Sequence, residues 1–386
     1  MGFGAIITSG SEFRPLDEEV MRWIVEVRVE QELSKPTQFA IRFDDDVCGG
    51  DPLVANHRAL RQNTLIAVFV TAGDGFACLV HGPITHVRTS SMVGGSGSWV
   101  EVRGLDRRVE LDRIGVQASW TGKASDAARG LLTAHGLNAD CEETRKYYSE
   151  GQHALNQRGT DLEFLESIAR KNDLEFWLDY EVEGSPEAFS VFTNAHLKSS
   201  PPRPNAAAAN LPPAPPVLRP AGGLEISVQP PAGECATVTR FDTQIDFERP
   251  SSARGTVQQA ESGTTVLQSA SPGDDALGEG RDAIVTVDGV VRTALGPPVT
   301  DPDEHHLAQQ ALLTEASWFV EVDCSTTLEL LGFVAAPHQI VDVKHAGERL
   351  SGPYQVTKTT HVINATDHFI DFTIRANGLR EAGARP

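Results

Sequence analysis

Positive charge is what this sequence has least of: 33 Lys and Arg stand against 53 Asp and Glu, a formal net charge of −20. So acidic a surface repels phosphate backbones and anionic lipid, which argues against specific or nonspecific nucleic-acid binding and against electrostatic docking on a membrane. No basic run is longer than Arg107-Arg108. Long apolar runs are missing too; nothing approaches the roughly 20 residues that a spanning helix needs. The first residues, MGFGAIITSGSEF, lack a basic start followed by an apolar segment. The chain is therefore expected to be made and assembled in the cytoplasm, and to leave, if it leaves, by a route other than an N-terminal signal. The five cysteines, Cys48, Cys78, Cys141, Cys235 and Cys324, are scattered and never form C-x-x-C, which excludes a disulfide scaffold and points to reduced, mostly buried thiols. At 386 residues the chain can bury its own cores without disulfides or metal.

The most structured stretch is 151–180. Thr160 followed by Glu163 predicts a capping box, and Leu162, Leu165, Ile168 and Ala169 predict the buried face of the helix it opens. Arg170 and Lys171 suit the C-terminal dipole, and Asn172 is the expected stop. The period then changes to two at Leu174, Phe176, Leu178 and Tyr180, which predicts a strand.

Before this unit, Val25, Val27 and Val29 alternate with Glu26, Arg28 and Glu30, Phe39, Ile41 and Phe43 repeat the pattern, and apolar runs follow at 65–70, 78–87 and 99–102. Short strands with turns between them predict an antiparallel barrel or sandwich over 1–105. A helix capped by Ser125, with Ala128, Leu131, Leu132 and His135 on one face and Gly136 after it, joins the central helix in an α/β insertion over 106–199. Eight prolines and a four-alanine run mark 200–222 as a linker or loop. Strands resume over 223–386, with one helix from Asp301-Pro302 to about Trp318 whose face is Leu307, Ala311, Leu312 and Trp318. The fold class expected is mainly β with an α/β insertion (α+β): two antiparallel β-barrel-like domains plus the small helical insertion.

A search for chemistry returns only weak patterns. Gly122-Lys123 lacks the first glycine and the hydroxyl of a phosphate loop, and Asp44, Asp45 and Asp46 before Gly49 lack the later ligands of a calcium loop and read as a solvated acidic turn. Adjacent His305 and His306 point about 100° apart on a helix, which suits surface side chains and not one metal. Ser96 lacks the second glycine of a nucleophile elbow. Glu142, Glu143, Glu150, Glu163 and Glu166 read as wet-face charges before they read as a glycosidase pair, and Trp177 and Trp318 as packing aromatics before sugar platforms. No catalytic residue, metal or cofactor is expected.

Gln157, Thr160, Asp161, Phe164 and Leu165, followed by Phe176 and Trp177 on a strand, resemble a signature of the phage late control protein D family, the hub of contractile tail baseplates and the N-terminal part of VgrG spike proteins. Gln339-Ile340-Val341, Gly352-Pro353-Tyr354-Gln355-Val356 and His361-Val362 are similar to its closing strands, and Asp106 and the Ser125-Asp126 helix start fall in the same order. Gly352, Tyr354 and His361 thus join the structural signature. The resemblance implies a homotrimer in which two tube-like barrels per chain make a pseudo-sixfold ring between a threefold spike and a sixfold inner tube. It implies as partners a spike protein with an oligosaccharide-binding barrel and β-helical needle, the tube protein, and wedge or sheath proteins. Ending at Pro386 without barrel or needle, the chain is expected to be a hub alone, part of a particle that acts outside the cell. A wall-degrading baseplate enzyme and a receptor- or carbohydrate-binding tail protein are the alternative classes.

Overall fold

The computed structural model describes residues 4–45, 53–73, 75–92, 97–149, 155–185, 188–200, 224–258, 265–270, 277, 290–295 and 302–380. Expectations about Asp46, Cys48, Ser96, Glu150 and the proline-rich stretch lie outside the described residues. The protein is mainly β with few helices, as the alternating sequence requires.

The N-terminal part runs β1 (Ile6–Ser9), β2 (Arg14–Pro15), one helical turn α1 (Glu18–Met21), β3 (Ile24–Glu32), β4 (Lys35–Asp44), β5 (Leu65–Ala72), β6 (Gly75–Ser90) and β7 (Trp99–Leu105), all paired antiparallel. On β4 the period of two holds: Phe39, Ile41 and Phe43 are buried while Gln38, Arg42 and Asp44 face water. On β3 it does not. A register shift between Ile24 and Glu26 turns Ile24 inward and leaves Val25 40% exposed, so the expected Val25 core position is corrected by a β-bulge.

The middle part contains α2 (Arg108–Leu111), β8 (Gly115–Trp120), β9 (Gly122–Lys123), α3 (Ala124–Ala134), β10 (Asn138–Cys141), β11 (Tyr147–Tyr148), β12 (Leu155–Thr160), α4 (Asp161–Asn172), β13 (Glu175–Ser185) and β14 (Ala188–Lys198). One apolar cluster, with Leu132, Leu165, Ile168 and Leu197 at its centre, fills it. The capping box at Thr160 and Glu163 forms as expected, but the left-handed stop is Asp173, φ 56°, one residue beyond Asn172. The Asn172 amide instead donates to Ile168 O, 2.8 Å away. Ser125 does not cap α3 either: it lies inside the helix, and its N–H donates to Thr144 Oγ1 at 3.1 Å while Thr144 N–H returns a bond to Ser125 Oγ at 3.3 Å. A distant threonine does the capping.

The C-terminal part has β15 (Glu225–Ser227), β16 (Arg240–Ile245), a small sheet of β17 (Ser252–Gln258), β18 (Thr265–Ala270) and β19 (Thr293–Leu295), then α5 (Pro302–Ala316), β20 (Val320–Thr327), α6 (Leu328–Leu331), β21 (Ile340–Lys344), β22 (Gly352–Ile363) and β23 (His368–Ala376). The face of α5 differs from the expected one. His305, 1% exposed, is buried with Gln309, Leu313 and Ala316, because Gly255 of β17 has no side chain and so makes room for the imidazole: a Cβ there would lie 2.4 Å from His305 Nε2. Ala311 and Leu312 are half-buried, Trp318 packs beyond the helix end, and the Leu307 and His306 side chains lie outside the description.

β22 and β3 pair antiparallel, Val29 against His361 and Val27 against Ile363, which fuses the N- and C-terminal strands into one 13-stranded sheet. Ile363 of β22 reaches the N-terminal core, while the C-terminal strands gather a second cluster around Tyr354, Val356 and Ile374.

Leu165 has no exposed surface and Glu166 is half-buried. Leu165→Asp, which strands a carboxylate in the core, should cost several kcal/mol, and Glu166→Ala should stay within about 0.5 kcal/mol. Urea unfolding of the two variants checks this; equal midpoints would mean that the buried face is misplaced.

Candidate functional site

The signature residues on β12 and α4 meet in one hydrogen-bond chain. Gln157, 1% exposed, accepts from Trp120 Nε1 at 3.1 Å and donates to Asp161 Oδ1 at 2.6 Å. The other oxygen of Asp161 is 2.8 Å from Nε2 of His135, which is the C-cap of α3 and not part of its apolar face as the spacing suggested. Phe164 stacks on Trp120 at 6.1 Å, and Leu165 seals the core beneath. Thr160 accepts from Glu163 N–H and donates to Asp112 at 2.7 Å. The group fixes β8, α3 and α4 on one another.

A second constellation joins this unit to the large sheet. Asp106 (1% exposed) and Arg108 (4%) form a buried ion pair, with Arg108 Nη2 at 2.7 Å from Asp106 Oδ2. The Asp106 carboxylate also accepts from Thr37 N–H at 2.7 Å, and Arg108 donates onward to Phe176 O at 3.3 Å and to Lys35 O. Gly82 lets the chain pass here, since a Cβ would sit 1.9 Å from Leu105 O. Sequence order suggested Asp106; nothing suggested Arg108, whose charge in a loop reads as solvated.

Trp177 is enclosed. His338 stacks on it with ring centroids 3.9 Å apart, and His196 at 4.9 Å, with interplanar angles of 17° and 22°. Its face is therefore occupied by protein and not offered to a sugar. His338, at a left-handed φ of 70°, bonds Ser200 Oγ at 2.7 Å, Gln355 donates to the same oxygen at 2.8 Å, and Arg375 donates to Gln355 at 3.0 Å. Of the remaining signature residues, Gly352 opens β22 at φ 133°, Tyr354 is fully buried and donates to Leu350 O at 2.8 Å, and buried His361 shares a 2.9 Å bond with His368. These three lie on β22 apart from the Gln157 group; Trp177 and Gln355 are what connect the two sets.

The other patterns resolve into structural contacts. Asp45, expected in a solvated turn, is buried and accepts from Val54 and Ala55 N–H at 3.2 and 3.1 Å. Glu142 holds Ser199 N–H and Oγ, both at 2.9 Å, Glu143 pairs with Lys123, and Glu163 serves the cap. Trp318 carries Arg375 over its ring at 4.4 Å. Among the described residues no group of three or more His, Cys, Asp or Glu is placed to hold a metal, and no helix is long and apolar enough to cross a membrane.

No protein-family model matches the sequence, and no curated protein sequence is significantly similar. Solved structures are. The 43 kDa tail protein of prophage MuSo2 from Shewanella oneidensis superposes with a TM-score of 0.62 at 11% identity, over 96% of this chain and 98% of that one. A tail protein of Neisseria meningitidis gives 0.58 at 12% identity over 97% and 96%. An Escherichia coli type VI secretion component described as similar to T4 tail proteins gp27 and gp5 gives 0.51 at 12% identity, over 93% of this chain and 76% of that one. The chain has the tail-protein fold. Within that fold Gln157 and Asp161 tie β12 and α4 to β8 and α3, Trp177 packs against His338, and Gly352, Tyr354 and His361 lie on β22.

The joints are sensitive to protons in opposite senses. Burial, reinforced for His338 by Arg108, His196 and Arg375, pushes His338 down to about 3, and burial likewise holds His361 at about 3 and His81 and His368 at about 4. Burial also opposes charge on His196, but bonds to Asp140 and Asp179 outweigh it and raise it to about 9. The four depressed histidines contribute stability that is complete above the ordinary value of 6.5 and lost as pH falls toward 3–4; the His196 contribution is complete below 6.5 and lost as pH rises through about 9. Stability should peak near pH 6.5. His338→Gln should lower the slope of unfolding free energy between pH 6.5 and 4.5 by up to about 1.4 kcal/mol per pH unit. Urea titrations at stepped pH measure it; an unchanged slope would mean that His338 is not held neutral.

Proposed function

We propose that the chain is the hub of a contractile baseplate or injection system. The observation that carries this reading is the tail-protein fold along 96% of the chain. It is supported by the two apolar clusters, one over residues 5–102 and one over 226–379, which give each chain two strand-built lobes. Three chains about one axis then place six lobes around a pore. In this reading 1–105 and 223–386 are tube-like lobes, 106–199 is the α/β insertion between them, and 200–222 is a linker.

In this arrangement the ring carries a separate threefold spike on one side and the first ring of the sixfold inner tube on the other, with wedge and sheath proteins outside. Closed symmetry turns weak single contacts into one stable ring. A net charge of −20 keeps acidic cargo from adhering to the pore wall. The protein is assembled in the cytoplasm, acts as a particle component, and needs no chemistry of its own; Gln157, Asp161, Phe164, Leu165 and Trp177 serve as braces.

Co-expression with the spike protein of the same particle tests the reading by light scattering and end-on electron microscopy. The expected result is a complex of three hub and three spike chains with six similar lobes. A stable complex of one chain with one spike chain, or no association with spike and tube proteins, contradicts it.

A further inference from the structure

The path β15–β21–β22–β23–β20–β16 begins and ends on strands that, among the described residues, are paired on one side only. Its ends meet around a groove of about 350 Å³ with an apolar wall of Val228, Val238, Phe241, Ala346 and Leu350. Arg240 and Thr243 of β16 form its rim, and Arg240, Asp242, Thr243 and Gln244 are all exposed. An open backbone edge beside a groove with an apolar wall is what an added strand requires: main-chain bonds from the edge, and room for every second side chain.

The same chain carries a strand of that description. Among the described residues β19 pairs with β17 alone, in parallel, and Val291 just before it is 63% exposed and Leu295 within it 84% exposed. Thr293 and Leu295 share one face of β19, and Val291 lies two residues before Thr293. The margins also match in charge. The groove edge bears the exposed pair Arg240–Asp242, 3.3 Å apart, and beside β19 stands Glu248, with 84% of its side chain exposed, 2.9 Å from Arg292.

We infer that β19 of one copy adds to the β16 edge of a second copy of this chain, with Leu295 and Val291 entering the groove and Glu248 meeting Arg240. Donor and acceptor are different surfaces, so the contact is head-to-tail and repeats until the rotation closes a ring. The inference rests on the ring reading above and names the surfaces that make the ring.

The test places a photo-crosslinking benzoylphenylalanine at Thr243 in the full chain, co-expressed with the spike protein and irradiated after assembly. The expected product is a hub dimer on denaturing gels whose cross-linked peptide contains residues 291–295. Leu295→Asp should lower the assembled fraction about tenfold while leaving the melting temperature of the unassembled chain unchanged, since so exposed a side chain supports no core. A trimer that cross-links through another segment, or that forms at full yield with Leu295→Asp, overturns the contact and leaves the ring standing. Absence of any trimer overturns both.

Discussion

The buried pair of Asp106 and Arg108 is the constraint on which the arrangement of this molecule turns. Both groups are almost wholly removed from water, so each must find partners in the protein or carry a large desolvation cost. Those partners come from three places: Thr37 N–H and Lys35 O on β4, the end of β7 where Asp106 sits, and Phe176 O on β13. Satisfying one charge pair therefore fixes the α/β unit against the large sheet in one orientation. Removal of either partner would strand the other. A buried ion pair is weak as a source of stability and strong as a geometric requirement.

Around that joint the polar groups follow the same logic. Trp177 extends β13 toward the C-terminal strands by packing against His338, whose ring is held by Ser200 and through it by Gln355 of β22. Ser34, in the turn between β3 and β4, donates to Glu175 at the start of β13. With β3 and β22 paired directly, the three parts of the chain are connected each to each. Such a body suits the hub role proposed above. The histidines that stay neutral inside these joints set an acid limit on that rigidity.

Local signals made the elements legible and distant partners made the rest illegible. The Thr160–Glu163 box and the stripe through Leu165 lie within one helical turn or two, so sequence alone places α4. Phe39, Ile41 and Phe43 likewise announce β4. Where reading failed, the deciding atom came from far away in sequence: Thr144 caps α3 in place of Ser125, Gly255 makes space that buries His305, and Val54 and Ala55 draw Asp45 inward. The bulge that exposes Val25 is set by the register with β4 and leaves no mark in the composition of β3. Of the signature residues, their order along the chain was readable; that Gln157 and Asp161 would reach Trp120 and His135 was not.

The claim that the Asp106–Arg108 joint makes the sheet and the α/β unit one cooperative body can be measured by native-state hydrogen exchange in rising denaturant. Amides of β4 and β7 and those of β13 and α4 should converge on one opening free energy with one denaturant dependence, as a single unfolding unit does. If β13 and α4 open first, at a lower free energy and with a smaller denaturant slope than β4 and β7, the joint does not bind the two parts and the account fails.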